Sequence, residues 1–277
     1  MNRILVVGAN GTVGSELVKL LRKAGADVVA ATSKAPTGPA QVHLDLATGA
    51  GVEQAFDGVD RAFFMAPPGF TNQHEILAPV IDAAARHKLR RVVLQTAYGA
   101  NAADTNPMRL AELQLEGSGV PYNILRPNWF MQNFNSYWIE GIVKANAIRL
   151  PVGDARTSFI DARDIAASAA ALLLGEAHQN QAFDLTGGEA LTHAEAAAIL
   201  SGATGRPIAF EDITPEQMLQ QLLAAGLPEP YARFLVVILG VLKEGHAAAI
   251  TDAVHRLTGR APIGFAQYAR DYRTAWV

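Results

Sequence analysis

The sequence of 277 residues has no cysteine, few charged residues and no long apolar segment. The absence of cysteine excludes a disulfide scaffold, thiol nucleophiles and zinc or iron–sulfur sites with thiolate ligands. Charged residues make up 18% of the chain and hydrophobic residues 50%, a balance that excludes an intrinsically disordered protein. The most apolar stretch, from Phe234 to Leu242, is much shorter than the roughly 20 residues of a membrane span. We therefore expect a cytoplasmic protein without membrane contact.

Charge and histidine spacing narrow the range of partners. The formal net charge is −3, and acidic and basic residues are mixed along the chain, so no basic surface for nucleic acid is expected. The seven histidines form no His-x-x-x-His pair and no glutamate-flanked motif of a metal site. The expected partner is a small-molecule substrate, with no nucleic acid and no metal, and the expected assembly is a monomer or homodimer.

Short apolar runs alternate with helix-length segments through the first 190 residues. Most of these runs are continuously apolar, as in strands that are buried on both faces of a parallel sheet. The alternation predicts right-handed strand–helix–strand crossovers and an α/β fold with a doubly wound parallel sheet. The predicted strands are Ile4–Val7, Val28–Thr32, Gln41–Leu44, Ala62–Ala66, Arg91–Gln95, Asn123–Arg126 and Ala182–Leu185. The predicted helices are Thr12–Ala24, Gln73–His87, Met108–Gly117 and Asp164–Leu174.

Helical patterns dominate beyond residue 190. Thr192 precedes Glu195 at the spacing of a capping box, and Thr214-Pro215 has the composition of another helix start. The sequence predicts one α/β domain over residues 1–190. It also predicts a small, mostly helical C-terminal subdomain over residues 191–277, on the substrate side of the same fold unit.

A glycine-rich loop joins the first predicted strand to the first predicted helix, with glycine at positions 8, 11 and 14. Glycine allows a tight turn, a close approach of the backbone to a diphosphate, and close packing of the helix on the strand. The helix N-terminus then offers unpaired N–H groups and a partial positive charge to phosphate. The position of the loop between strand and helix favours a dinucleotide site over a glycine-rich turn without a ligand.

The turn after the second predicted strand favours NADP(H) as the cofactor. Sites that bind NAD usually have a carboxylate here, which binds the ribose 2′-hydroxyl. This turn has Thr32, Ser33 and Lys34 instead, and two hydroxyls with an ammonium group suit a 2′-phosphate. NAD(H) stays open as the alternative, since Lys34 can also be explained as an ordinary loop lysine.

Four segments resemble the NmrA-like family of atypical short-chain dehydrogenases/reductases. They are Val7 to Gly14, Met65 to Pro68, Ile124 to Phe134 and Phe159 to Ala166, and the stretch from His255 to Trp276 is also similar. Together they span nearly the whole chain in the expected order. The resemblance implies a Rossmann domain that binds NAD(P)(H), with the substrate cleft closed by the C-terminal segment.

The resemblance adds cofactor contacts after successive strands to those of the loop and the second-strand turn. It implies that Asp45 and Leu46 flank the adenine and that Thr96 and Ala97 lie beside the nicotinamide. This agrees with ligand binding at the carboxyl ends of strands in open α/β sheets. The candidate cofactor residues are Gly8, Asn10, Gly11, Thr12, Val13, Gly14, Thr32, Ser33, Lys34, Asp45, Leu46, Met65, Ala66, Pro67, Thr96, Ala97, Pro127 and Asn128.

The sequence departs from the wider superfamily in its catalytic groups. Those dehydrogenases use a Tyr-x-x-x-Lys pair, in which lysine lowers the pKa of the tyrosine so that it can transfer a proton. No tyrosine here has lysine at this spacing, and Tyr122 is followed by Arg126 instead. We therefore expect hydride transfer to a quinone, activated alkene, imine or dye rather than alcohol or ketone chemistry. Tyr98, just after the fifth strand, is the candidate proton donor.

Aromatic and amide side chains would suit a flat, conjugated acceptor beside the nicotinamide. The candidate substrate residues are Trp129, Phe130, Asn133, Phe134 and Phe159. Core packing is the alternative role of Phe130 and Phe134. The leading hypothesis is an NADPH-preferring reductase. The alternatives are a non-catalytic NAD(P)-binding sensor or regulator and an isomerase or epimerase that uses bound NAD(P).

Overall fold

The computed structural model describes residues 3–277, so the first two residues of the predicted α/β domain lie outside the described residues. The chain forms two compact units. The sheet unit comprises the chain up to Pro127, Ala162–Leu185 and Ala253–Arg260. The helical unit comprises Asn128–Asp161, Thr186–Asp252 and Ala261–Val277. This division differs from the predicted boundary at residue 190, because each unit is built from separate stretches of the chain.

The elements are numbered in chain order. The strands are β1 (Arg3–Val6), β2 (Asp27–Thr32), β3 (Gln41–His43), β4 (Arg61–Met65), β5 (Arg91–Gln95), β6 (Tyr122–Pro127), β7 (Ala147–Leu150), β8 (Gln181–Leu185) and β9 (Ala209–Asp212). The helices are α1 (Thr12–Lys23), α2 (Val52–Ala55), α3 (Gln73–Arg86), α4 (Pro107–Gly117), α5 (Ile139–Ala145), α6 (Ala162–Leu174), α7 (His193–Thr204), α8 (Pro215–Ala224), α9 (Glu229–Lys243), α10 (Ala253–Thr258) and α11 (Phe265–Asp271).

The sheet unit contains one seven-stranded parallel sheet in the order β3-β2-β1-β4-β5-β6-β8. Helix α6 packs against α1 and α10, whereas α3 packs against α2 and α4. Val92, Val93 and Leu94 of β5 are fully buried, as expected for a strand covered on both faces. The doubly wound parallel sheet is thus confirmed, and each predicted strand lies within one residue of an observed one.

The helical unit contains a second sheet that the sequence did not predict. Its two strands, β7 and β9, pair in parallel, with Arg149 opposite Glu211. Each strand has only four residues, which is too short for a clear pattern of apolar alternation. The two predicted helix starts are confirmed, since Thr192 and Thr214 both form capping boxes, with Glu195 and Gln217 respectively.

Candidate cofactor and active site

The loop between β1 and α1 depends on glycine at two positions. Gly8 has a φ of +77°, a left-handed conformation that residues with a side chain rarely adopt. A Cβ atom on Gly14 would overlap the Gly8 carbonyl oxygen and lie 2.9 Å from the Ala9 Cα atom. The Gly11 N–H closes the loop by donating to the Gly8 carbonyl oxygen at 2.9 Å. Glycine therefore permits both the tight turn and the close approach of α1 to the end of β1.

The N-terminus of α1 has the features of an anion site. Its N-cap, Gly11, has no side chain that could cap the first turn, and that turn contains no acidic residue. The first N–H groups of a helix lack partners within it, and the helix dipole adds a partial positive charge there. Asn10 and Thr12 are exposed at this turn, whereas Val13 is buried. The loop and the helix together fit the diphosphate of a dinucleotide.

The turn after β2 is open and carries one positive charge. Thr32 is half-buried, and Ser33 and Lys34 are exposed. The Lys34 N–H donates to Thr32 Oγ1 at 3.1 Å, which holds the turn together. No acidic residue occurs between positions 32 and 40. The turn thus has the hydroxyl and ammonium groups that a phosphate requires and no carboxylate that would repel it.

Further candidate positions lie at or just after the ends of β3 and β4. These positions belong to the carboxyl edge, the edge of the parallel sheet at which its strands end. The half-buried candidates here are Asp45, Leu46, Met65, Ala66 and Pro67. Asp45 Oδ1 accepts a hydrogen bond from the Ala47 N–H at 2.9 Å, which fixes the turn after β3. Met65 lies next to the glycine loop, since a Cβ atom on Gly8 would be 3.0 Å from Met65 Cγ. The end of β4 and the glycine loop are therefore neighbours.

The segment after β5 runs alongside the end of β6 at the same edge. The Thr96 N–H donates to the Leu125 carbonyl oxygen and the Tyr98 N–H to the Pro127 carbonyl oxygen, both at 2.9 Å. Thr96 is 8% exposed, whereas Ala97 and Tyr98 are half-buried. The structure thus brings these candidates to the carboxyl edge that also carries the glycine loop.

The environment of Tyr98 differs from that of a tyrosine paired with lysine. Burial raises the pKa of Tyr98, and the negative charge of nearby Asp184 raises this pKa further. A lysine partner would lower the pKa instead. The Tyr98 phenol therefore keeps its proton at neutral pH, where it is a hydrogen-bond donor and not a general base.

A buried ion cluster beside Thr96 was missed by sequence reasoning. The fully buried Glu112 accepts hydrogen bonds from Arg126 Nε at 2.9 Å and Arg126 Nη2 at 2.7 Å. Arg109 Nη1 donates to Glu112 Oε2 at 3.0 Å, and Thr96 Oγ1 donates to Glu112 Oε1 at 2.6 Å. Glu112 shares the buried face of α4 with Leu115. A charged residue on the apolar face of a predicted helix is the signal that could have revealed it, because buried charges need partners.

The side chain of Asn128, a predicted cofactor contact, has hydrogen-bond partners within the protein. This residue belongs to the helical unit, and only 3% of it is exposed. Its Nδ2 donates to Ser158 Oγ at 2.7 Å and to the Ala247 carbonyl oxygen at 2.8 Å. Its Oδ1 accepts from the Trp129 N–H at 2.9 Å. Both side-chain amide hydrogens are used within the unit, so the Asn128 side chain has no donor left for a ligand.

Two predicted substrate residues are core residues of the helical unit. Phe134 is 0% and Phe159 1% exposed. Their rings meet edge to face with centroids 5.2 Å apart, and both also contact the ring of Phe265. Because no ring surface is left for a ligand, the structure corrects the prediction and assigns Phe134 and Phe159 to packing.

The other predicted substrate residues keep accessible surface. Trp129, Phe130 and Asn133 are half-buried in the helical unit. The Trp129 ring stacks on Trp138, with centroids 6.4 Å apart and an interplanar angle of 26°. These three side chains remain candidates for contact with an acceptor.

Two features are absent from residues 3–277. None of the helices there has the length and hydropathy required to cross a membrane. No cluster of histidine, aspartate and glutamate side chains in the same part of the chain could hold a metal ion.

Comparison with known proteins identifies the family. The model of the NmrA-like family matches residues 1–256. The chain belongs to this family. An NAD(P)H azoreductase of Xenophilus azovorans is 34% identical to this NmrA-like protein, with 99% of each chain covered. A (4-alkanoyl-5-oxo-2,5-dihydrofuran-3-yl)methyl phosphate reductase of Streptomyces griseus is 32% identical, also with 99% of each chain covered.

Two solved structures share the fold of this NmrA-like protein. Triphenylmethane reductase of Citrobacter sp., complexed with NADP(H), has a TM-score of 0.84 and 21% identity, covering 97% of this chain and 99% of that one. An NADPH-dependent quinone oxidoreductase of Escherichia coli, complexed with NADPH, has a TM-score of 0.83 and 20% identity, with the same coverage. At these identities the likeness establishes the fold.

Proposed function

We propose that this protein is an NAD(P)H-dependent oxidoreductase that transfers a hydride to a small conjugated acceptor. The observation that carries the proposal is the glycine loop, in which the absence of a Cβ at Gly14 lets α1 approach the end of β1. The resulting helix N-terminus has no side-chain cap and no acidic first turn, and so suits a diphosphate. The azoreductase among its relatives carries NAD(P)H in its name, which supports the same cofactor here.

The cofactor would lie along the carboxyl edge. Gly8, Asn10, Gly11, Thr12, Val13 and Gly14 would surround the diphosphate, with Asp45 and Leu46 beside the adenine. Met65, Ala66, Pro67, Thr96, Ala97 and Pro127 would lie in the half of the sheet that binds the nicotinamide nucleoside. This division follows the two mononucleotide halves of a doubly wound sheet, whose order reverses between β1 and β4.

A preference for NADPH over NADH is part of the proposal. It is supported by the exposed Ser33 and Lys34 at the turn after β2 and by the lack of a carboxylate there. An ammonium group and hydroxyls would bind a 2′-phosphate through charge-assisted hydrogen bonds. Lys34 is the residue on which this preference depends most, because it carries the only full charge of the turn.

When bound, the reduced nicotinamide supplies a hydride. The chain would contribute binding, orientation and one hydrogen-bond donor rather than a strong acid or base. Tyr98 keeps its proton because burial and Asp184 raise its pKa, so its hydroxyl would stabilise the negative charge that develops on the acceptor. A neutral acceptor such as a quinone, enone or azo compound gains the hydride and one proton, which comes from water either directly or through Tyr98, which then regains a proton from water. A cationic triarylmethane dye is neutralised by the hydride alone.

Conjugated acceptors suit such a site because they delocalise the electron pair that arrives with the hydride. The names of similar proteins refer to azo, triphenylmethane and quinone reduction. In this chain Trp129, Phe130 and Asn133 would contact the acceptor, since each keeps exposed surface. The two rings would stack on a flat acceptor, and the amide would orient its polar groups.

Calorimetric titration with NADPH and NADH, followed by turnover assays, tests the proposal. We expect binding of both nucleotides, tighter for NADPH, and loss of nicotinamide absorbance with at least one quinone, enone, imine, azo dye or triarylmethane dye. Lys34→Ala should weaken binding of NADPH but not of NADH. The matched variant Lys23→Ala, at the exposed far end of α1, should change neither affinity. Binding without turnover of any acceptor would favour the sensor, and no binding at all would refute the proposal.

A further inference from the structure

The carboxylate of Glu112 has a full set of hydrogen bonds although it is completely buried. Oε1 accepts from Thr96 Oγ1 at 2.6 Å and from Arg126 Nε at 2.9 Å. Oε2 accepts from Arg126 Nη2 at 2.7 Å and from Arg109 Nη1 at 3.0 Å. Two arginines and one hydroxyl therefore surround the carboxylate, and the hydroxyl is the only neutral donor among these three side chains.

The charge of Glu112 fixes the direction of its hydrogen bond with Thr96. Burial opposes ionisation, but the hydrogen bonds from Arg126 and Thr96 and the charge of Arg126 hold the pKa of Glu112 below its ordinary value. An ionised carboxylate has no proton to give and acts only as an acceptor. The Thr96 hydroxyl must therefore use its single hydrogen toward Glu112, and its oxygen keeps only lone pairs for any other partner.

Thr96 occupies a position at which this polarity matters. It follows the last residue of β5 at the carboxyl edge, and 8% of its surface is exposed. In a doubly wound sheet the second mononucleotide half, to which β5 belongs, binds the second nucleoside of a dinucleotide. That nucleoside has two kinds of donor here, the ribose hydroxyls and the carboxamide N–H of nicotinamide.

We propose that Thr96 binds the nicotinamide nucleoside as an obligatory hydrogen-bond acceptor, and that Glu112 is the positioning residue that imposes this polarity. The inference rests on the proposed function, because it needs a bound nicotinamide nucleotide. The Thr96 hydroxyl has no free hydrogen to give to the substrate that receives the hydride. Thr96 therefore takes no part in proton transfer to that substrate. Glu112 acts only through Thr96 and contacts no ligand.

The test compares Thr96→Val, which keeps the shape and removes the hydroxyl, with Thr96→Ser, which retains it. Calorimetry would measure binding of NADPH, of its 3-acetylpyridine analogue, which lacks the carboxamide N–H, and of adenosine 2′,5′-bisphosphate, which lacks the nicotinamide nucleoside. We expect Thr96→Val to weaken NADPH binding about 3- to 10-fold, which is the effect of one hydrogen bond, and to leave the affinity for the bisphosphate unchanged. Thr96→Ser should retain most of the affinity.

The analogue distinguishes the two possible donors. If the carboxamide is the donor, Thr96→Val should not weaken binding of the 3-acetylpyridine analogue. If a ribose hydroxyl is the donor, Thr96→Val should weaken binding of the analogue and of NADPH equally. Glu112→Gln should also weaken NADPH binding. In the Thr96→Val background, Glu112→Gln should cause no further loss of NADPH affinity. A purely structural role of Glu112 would predict the same loss in both backgrounds. Should Glu112→Gln fail to fold, the two Thr96 variants decide the question.

Three results would overturn the inference. The first is unchanged NADPH affinity of Thr96→Val, and the second is equal weakening of NADPH and the bisphosphate, which would show a general structural effect. The third is an equal loss in Thr96→Ser and Thr96→Val. Wild-type protein that binds the bisphosphate but not NADPH would refute the proposed function as well, so the two failures are distinguishable.

Discussion

Replacing His193 by phenylalanine should make the stability of this protein less sensitive to acid. His193 is the first residue of α7 and is fully buried in the helical unit. Its ring centroid lies 5.1–6.2 Å from those of Phe134, Trp138, Phe159 and Phe210. Within residues 3–277 neither of its ring nitrogens has a hydrogen-bond partner. Burial in this cluster removes the water that would solvate a positive charge on the imidazole.

The pKa of His193 determines the size and the sign of the effect. Burial lowers this pKa to about 4 in the folded protein, against about 6.5 in the unfolded chain. The folded state therefore binds fewer protons. The stability that depends on a neutral His193 is complete above pH 6.5 and is lost progressively as the pH falls from 6.5 toward 4. The difference of about 2.5 units corresponds to up to about 3 kcal/mol at 1.36 kcal/mol per unit.

Urea unfolding at several pH values between 7 and 4 measures this contribution. The free energy of unfolding should fall by about 3 kcal/mol less in His193→Phe than in the wild type over this range. The carboxylates that titrate there are common to both proteins, so their contribution cancels in the comparison. The absolute stability at pH 7 is not the test, because removing unpartnered ring nitrogens and enlarging the ring have opposite effects.

A second histidine variant serves as the control. His255 is exposed, and the change in pH dependence caused by His193→Phe should exceed any change caused by His255→Gln. Identical pH dependence in His193→Phe and the wild type would refute the reasoning. It would mean that the ring is hydrated or partnered in solution, or that the helical unit opens before His193 is protonated.

Three further variants address the candidate site and the sheet. Gly14→Ala should weaken NADPH binding at least 10-fold in calorimetry, because a Cβ there overlaps the Gly8 carbonyl oxygen, whereas Gly202→Ala in α7, with no atom within 4 Å of the added Cβ, should bind normally. Tyr98→Phe should lower kcat about 100-fold while the Kd of NADPH is unchanged, and retention of full kcat would exclude the phenol as a donor. Arg91→Met should destabilise the protein by about 3 kcal/mol or more in urea unfolding, because this buried side chain donates three hydrogen bonds of 2.9–3.1 Å to backbone carbonyls, one in the last turn of α6 and two in the segment after it. A loss below about 1 kcal/mol would show that water replaces these hydrogen bonds.

The elements that the sequence predicted well are those that depend on neighbours along the chain. The strands of the large sheet are recognisable because burial on both faces requires continuous apolar runs. The glycine loop is recognisable because the left-handed Gly8 and the close approach at Gly14 are demands of local backbone geometry. Thr192 and Thr214 start helices through capping boxes that close within three residues. In each case the physical requirement and the residues that meet it lie within one short segment.

The roles of several site residues depend instead on contacts between distant segments. Asn128 has the right composition for a cofactor contact, but Ser158 and Ala247 take both of its amide hydrogens. Phe134 and Phe159 are aromatic in either role, and only their mutual packing shows that they belong to the core.

The sequence by itself determined the parallel sheet and the glycine loop, because both follow from the local pattern of apolar residues and glycine. Only the tertiary structure decided the state of the side chains around them. It placed Glu112 against Arg126 and so fixed which way Thr96 donates its hydrogen. It also enclosed His193 among aromatic rings, which lowers its pKa. Hydrogen-bond direction and ionisation are set by groups that meet only when the chain folds, and no local pattern encodes them.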